Sequence, residues 1–357
     1  MIPVGRNHGL DVLRALAIMG VLLLHAGMAI PEIPASLQWI FSFGWSGVDL
    51  FFVLSGFLIG RQVFEDKSSE STGRKLKTFW IKRWYRTFPL YYFVLSIYVM
   101  VKPLFGYTFK GWSLSYLFFL QNYLPPQDFV QSWSLCIEEQ FYIVFPILAY
   151  GLWTRQKNKW FWLLPVAVSF LSRLYLWNTG MFAETNDTIV SPFVRFPTHT
   201  HLDGISCGVF LAATFPEWNR KSLSFKRSLG MAGIALITAC FYLTGAWLSG
   251  FAVVYSFTLM SVAFAFCLIG VYDLKFSSVM MVPVYRLSLW SYSLYLWNNL
   301  AMKIPEKMPG FSWPLQFLAF FAGSLMISAF TYKFIEVPFL KLRDRHLRNL
   351  KSVKNNQ

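Results

Sequence analysis

The chain has 357 residues, of which 55% are hydrophobic and only 14% charged, and its formal net charge is +15. A mean hydropathy of +0.45 with 15 Trp, 17 Tyr and 37 Phe excludes an ordinary soluble protein, which carries roughly a quarter charged residues. Long apolar runs between short polar loops predict an all-α, polytopic integral membrane protein, because lone strands leave their backbone unsatisfied in lipid.

The first apolar run, 10–29, follows Arg6 and has no small-x-small cleavage site after His25. It reads as a retained span rather than a signal peptide. Further spans are predicted at 39–60, 80–102, 133–153, 160–177, 200–215, 229–247, 251–271, 286–303 and 314–334, about ten in all. The sixth is interrupted by Asp203, Cys207 and several glycines. The short aromatic stretch "WSLSYLFFLQN" (112–122) fits the membrane interface better than the interior.

Lys and Arg crowd the segment "RQVFEDKSSESTGRKLKTFWIKRWYR", the loops around Arg155 and Arg220, and the tail beyond Lys341; "PEIPASLQ" has none. The positive-inside rule then places both termini in the cytoplasm. Residues 1–340 read as a single transmembrane domain and 341–357 as a basic cytoplasmic tail. Most of the net charge lies in these loops, where it also suits anionic headgroups of membrane lipids, and no nucleic-acid recognition motif accompanies it. No 20–50-residue repeat and no inverted duplication is apparent. Cys136, Cys207, Cys240 and Cys267 lack ligand spacing and read as apolar fillers, and no metal site is expected, "HTH" at 199–201 being too weak a signal.

Ionisable residues inside the spans are the functional signal. Arg14 and His25 are eleven residues apart, ~16 Å along a helix and only ~20° around it, so they share a face. Asp11 lies three residues before Arg14, close enough for an ion pair; the plainer reading is a pair snorkelling to the interface. For His25 the plainer reading is a hydrogen-bonded interfacial histidine. Glu138 and Glu139 open the fourth span near the same depth as His25, where a carboxylate would fix the imidazole tautomer and raise its basicity. Asp49 lies deeper, with Ser55 beyond it. Arg83 and Arg86 place two guanidinium groups on one helical face, which suits a phosphate clamp or ordinary flanking charge equally.

The stretches "LDVLRALAIMGVLLLHA", "GVDLFFVLSGFLI", "KRWYRTFPLYY", "SWSLCIEEQFYIVFP", "HLDGISCGVFLA", "LSLWSYSLYLWNN" and "YKFIEVPF" resemble, in order, the motifs of acyltransferase family 3. These are membrane-bound enzymes that O-acetylate cell-envelope glycans and some small molecules. The resemblance implies a ten-helix fold in the inner membrane that passes an acetyl group from cytosolic acetyl-CoA to an acceptor hydroxyl at the outer side. The family's functional Arg and His residues fall on Arg14, His25, Arg83 and Arg86, and its carboxylates on Asp49, Glu138, Glu139 and Glu336. Many members have a histidine where Asn298 stands, so a mechanism that needs a second histidine there is in doubt. Some members carry a C-terminal esterase-like domain, which is not expected within these 357 residues.

Acyl transfer needs a base for the hydroxyl and donors for the oxyanion. His25 is the expected base, oriented by Glu138 or Glu139 and accompanied by Asp49, while Arg14, Arg83 and Arg86 bind the CoA phosphates. Asp203, Ser134 and Asn298 are the expected acceptor-side residues, with Trp133 a further oxyanion guess. For Asp203 the plainer reading is part of a helix start capped by Thr198 or Thr200. Asp11 and Glu336 are expected in structural ion pairs. The rival function is a proton-coupled transporter or flippase with His25, Asp49 and Glu138 as its relay.

Overall fold

The computed structural model describes residues 5–104, 114–124, 128–153, 158–180, 191–244 and 251–355. Its main helices are α1 (His8–Ala29), α2 (Ala35–Ser42), α3 (Gly47–Phe64), α4 (Thr72–Leu104), α5 (Trp133–Leu148) and α6 (Leu164–Asn178). They continue with α7 (Asp203–Ala213), α8 (Leu223–Thr244), α9 (Ala252–Val271), α10 (Ser278–Ala301), α11 (Trp313–Thr331) and α12 (Val337–Asn355). No strand occurs among the described residues.

Every predicted segment falls on a helix, but the helices differ in what they can span. Five stretches among the described residues are long and apolar enough to cross a membrane: His8–Ala29, Ala35–Phe64, Lys159–Asn178, Ala252–Val271 and Trp313–Leu350. The segment predicted at 200–215 contracts to α7, whose 11 residues extend only ~16 Å. It starts late because Thr198–Thr200 forms a separate 3₁₀ turn, and it ends ahead of Pro216. The predicted boundaries at 112–113 and 245–247 lie outside the described residues.

Local chemistry explains several boundaries. The Asn7 side chain accepts from Leu10 N at 3.0 Å and starts α1, while its Nδ2 donates to Tyr272 O at 2.9 Å and ties that start to the end of α9. In α5, Pro146 removes an amide donor, and the helix relaxes into the π turn Ala149–Trp153. Another π turn, Tyr332–Glu336, joins α11 to α12.

The short α7 packs along α3 with no room for side chains between the backbones. A Cβ at Gly56 would collide with the Ile205 carbonyl oxygen, and one at Gly208 with that of Val53. Polar distribution is inverted relative to a soluble protein. Leu171, Met231, Tyr242, Met326 and Phe330 face outward, whereas Asp49, Arg173, His201 and Asp203 are fully buried. Basic groups gather at one end of the bundle, where Arg6 precedes α1, Arg61 closes α3, Lys75 and Lys77 open α4, Lys226 opens α8 and Arg343 lies on α12. We call this the basic end. Cys136, Cys207, Cys240 and Cys267 are free and buried.

Candidate active site

A cavity of about 680 Å³ opens among α1, α3, α4, α5, α10 and α12. On α3 its wall runs from Gln62, at the basic end, to Val48, fourteen residues or ~21 Å away. The lining changes along this axis. Arg6, Lys82 and Arg343 stand at the basic end, Arg14, Arg83, Arg86 and Glu138 follow, and Ser134 and Tyr295 form the far end.

Each cation is held differently. Arg6 grips Asp11 with Nε and Nη2 at 2.5 and 2.7 Å, and Arg14 approaches the same carboxylate at 3.3 Å. Ser288 adds a hydrogen bond to Asp11 at 2.6 Å, so this buried anion anchors the two arginines between α1 and α10. Arg83 donates to Gln62 Oε1 at 3.1 Å and lies 5.5 Å from the centre of the Tyr142 ring. Tyr142 in turn shares a 2.5 Å hydrogen bond with Ser55. Arg86 is exposed into the cavity and has no ion pair or hydrogen bond among the described residues. The spacing of three residues thus brings both arginines to one wall, with free donors pointing into the space.

The carboxylates do not converge on His25. Glu138 lines the cavity within electrostatic reach of Arg83 and Arg86. Glu139, one residue on, turns away toward Thr87, and neither of its oxygens has a hydrogen bond of normal geometry among the described residues. Glu336 accepts from Ser293 at 2.5 Å and makes no direct ion pair among the described residues. Asp49 lies across the bundle, 2.8 Å from Nε2 of His201, whose Nδ1 faces Arg195 O at 2.7 Å. Asp203 forms a two-armed pair with Arg173 and accepts from Thr258 at 2.5 Å. It is fully buried, away from the cavity lining, and Thr198 and Thr200 do not cap its helix.

His25 is half-buried on α1, and its ring is oriented by its own helix. Nδ1 lies 2.7 Å from Val21 O, a carbonyl that can only accept, so Nδ1 carries the proton. The lone pair of the neutral ring is therefore on Nε2, which has no hydrogen-bond partner among the described residues. Arg195 is within electrostatic reach of both His25 and Tyr295; of these three, Tyr295 lines the cavity, and His25 and Arg195 stand outside its lining. The Arg195 guanidinium lies 5.6 Å from the Trp45 ring and 5.5 Å from Trp133, and it donates to Trp45 O at 2.7 Å.

Ser134 and Tyr295 are engaged with each other. Tyr295 Oη donates to Gln131 O at 2.8 Å, so in the 2.6 Å contact Ser134 must donate to Tyr295. Asn298 is fully buried, with no hydrogen bond to either side-chain atom among the described residues, and it is not among the residues that line the cavity. The His25–Asp49–Glu138 relay has no hydrogen bond joining its members among the described residues. No group of three or more His, Cys, Asp or Glu side chains arranged to hold a metal ion occurs among those residues.

Sequence spacing alone gave no role to Arg6, Tyr142, Arg195 or Tyr295, and marked Ser55 only as lying beyond Asp49. Ser55 is seven residues from Gln62, two helical turns, and both line the cavity; this periodicity was the available signal for Ser55. Arg195 lay in a polar segment between predicted spans, where nothing marked it.

A family model described as an acyltransferase domain matches residues 7–333. The O-acetyltransferase OatA of Staphylococcus aureus strain NCTC 8325 is 27% identical over 366 residues, covering 93% of this chain and 57% of its own length. A protein named putative O-acetyltransferase SACOL0978, from S. aureus strain COL, is 28% identical over 368 residues with the same coverage. The chain thus spans a little over half the length of these relatives. No solved structure matches it. With the family model covering nearly the whole chain, from residue 7 to residue 333, the chain belongs to acyltransferase family 3.

Proposed function

We propose that the protein is an O-acetyltransferase of the inner membrane that takes acetyl groups from acetyl-CoA at the basic end and delivers them to a hydroxyl of an envelope glycan or lipid-linked saccharide at the opposite face. The basic end is cytoplasmic in this reading, with both termini there. The observation that carries it is the gradient along the cavity: cations at one end, a wall of mixed polarity, then Ser134 and Tyr295, with Arg195, outside the lining, within electrostatic reach of both Tyr295 and His25. An acyl-CoA has the same gradient, from phosphates through a thin arm to a thioester. The ~21 Å lining along α3 is comparable with the extended pantetheine arm.

Chemistry follows from the His25 tautomer. Nε2 accepts the hydroxyl proton as the oxygen attacks the thioester carbonyl. The new ester C–O bond forms, the C–S bond breaks, and the proton passes from Nε2 to the departing thiolate. Arg195 supplies positive potential near the developing oxyanion. Asp49 and His201 contribute by holding the Arg195 backbone, and Glu138 by setting the charge balance around Arg83 and Arg86.

The test is consumption of acetyl-CoA by protein reconstituted in lipid vesicles, with and without an envelope extract. Loss of thioester that depends on extract, with acetyl recovered in the glycan fraction, supports the reading. Uptake of a saccharide without thioester loss would favour a transporter.

A further inference from the structure

We propose that α12 is part of the donor site, with Arg343 reading the 3′-phosphate of a nucleotide-bearing thioester. This rests on the donor reading above and extends it to a segment that the sequence marks as a tail. Residues 341–357 look like a generic run of positive charge. The structure instead places Leu340, Arg343, Asp344 and Leu347 of α12 in the cavity wall. These residues recur at three- and four-residue spacing, so one stripe of the helix faces the space and the remainder faces away.

The stripe is held in position. At its inner end the π turn Tyr332–Glu336 continues α11, and Glu336 is bonded to Ser293 of α10. Farther along, Tyr85 Oη lies 3.2 Å from His346 Nδ1, with the two rings edge to face at 5.9 Å, which fastens α12 to α4. Tyr85 lies beside Lys82 and Arg86, so this latch sets Arg343 opposite the cationic wall of α4.

Charge allocation then assigns phosphates to cations. Arg6 and Arg14 are already committed to Asp11. Arg83 and Arg86 stand deeper along α4, at the level where the arm begins, and suit the diphosphate. The outermost phosphate of a CoA thioester is the one on the ribose, and Arg343 is the α12 cation that lines the mouth. Its present partner is Asp344, the adjacent residue on an exposed surface, a contact of 2.8 Å that a dianion readily displaces. Arg345 and Arg348 are on the same helix but do not line the cavity, so net charge of the tail and contact with the ligand are separable.

The test is equilibrium binding of three probes, CoA, 3′-dephospho-CoA and pantetheine, to the purified full chain in detergent or nanodiscs. Wild-type protein should bind CoA about tenfold more tightly than 3′-dephospho-CoA, as expected for one charge-assisted contact. Arg343→Ala should lose that difference, binding both nucleotides with the weaker affinity, and its affinity for pantetheine should not change. Arg345→Ala should behave as wild type. Equal weakening of CoA and 3′-dephospho-CoA in Arg343→Ala, or no weakening, overturns the assignment while leaving the donor reading intact. Failure of wild-type protein to bind CoA at all overturns the donor reading and this inference with it.

Discussion

The guanidinium of Arg173 meets the carboxylate of Asp203 with both arms, at 2.7 and 3.0 Å, and neither side chain is exposed. The same guanidinium donates to Val254 O and Thr200 O, so one residue of α6 joins α7, α9 and the segment before α7. Such a pair is costly to break because the surviving charge stays buried. Asp203→Ala should therefore destabilise the protein by about 3–5 kcal/mol, lowering its melting temperature and its yield in membranes. A stable variant with lost acceptor affinity would place Asp203 at the acceptor after all.

The close approach of α3 and α7 makes a second, purely steric prediction. Gly208→Ala adds one methyl group against the Val53 carbonyl, where the neighbouring atoms are backbone and cannot rotate away. The expected cost is about 1–3 kcal/mol, read as a lower thermal midpoint. Gly73→Ala, where an added Cβ meets nothing, serves as the control and should be neutral.

Arg83 and Arg86 should act on the donor. Lysine keeps the charge at each position but loses the planar fork that suits a diphosphate. Arg83→Lys and Arg86→Lys should each raise the KM for acetyl-CoA about tenfold, the value of one good charged contact. Expression and kcat at saturating donor should change little. An unchanged KM in both would move the clamp elsewhere.

Asp49 and His201 should affect turnover without touching either substrate. Their hydrogen-bond chain ends on the Arg195 carbonyl, so it fixes the backbone that carries the guanidinium. His201→Ala should reduce kcat while leaving affinity for CoA as it is. Asp49→Asn, which preserves a hydrogen bond to Nε2, should retain more activity than His201→Ala. Equal loss of CoA affinity and kcat in both variants would point to a global packing defect.

Much of the helical framework was legible because apolar runs of membrane length have few alternatives, and the face shared by Arg83 and Arg86 follows from helical periodicity. Tertiary partners were not. Asp49 meets a histidine 152 positions away, and Asp203 meets an arginine 30 positions earlier. Periodicity says which residues share a face but not which helix that face meets. The same gap explains the carboxylates near His25: depth along two helices matched, but α5 presents Glu138 to α3 and α4, not to α1. The length of α7 was hidden by the expectation that an apolar run continues until it crosses. Glycines at Gly56 and Gly208 signalled close backbone packing instead.

His25 is the residue on which the functional account depends. The most direct measurement is transfer of radiolabelled acetyl from acetyl-CoA to a hydroxyl acceptor by reconstituted wild-type protein and His25→Ala, with CoA binding measured on the same preparations. The Nδ1 contact with Val21 leaves Nε2 as the base, so the variant should lose turnover ~100-fold or more while binding CoA as wild type does. Near-normal transfer by His25→Ala would contradict the account.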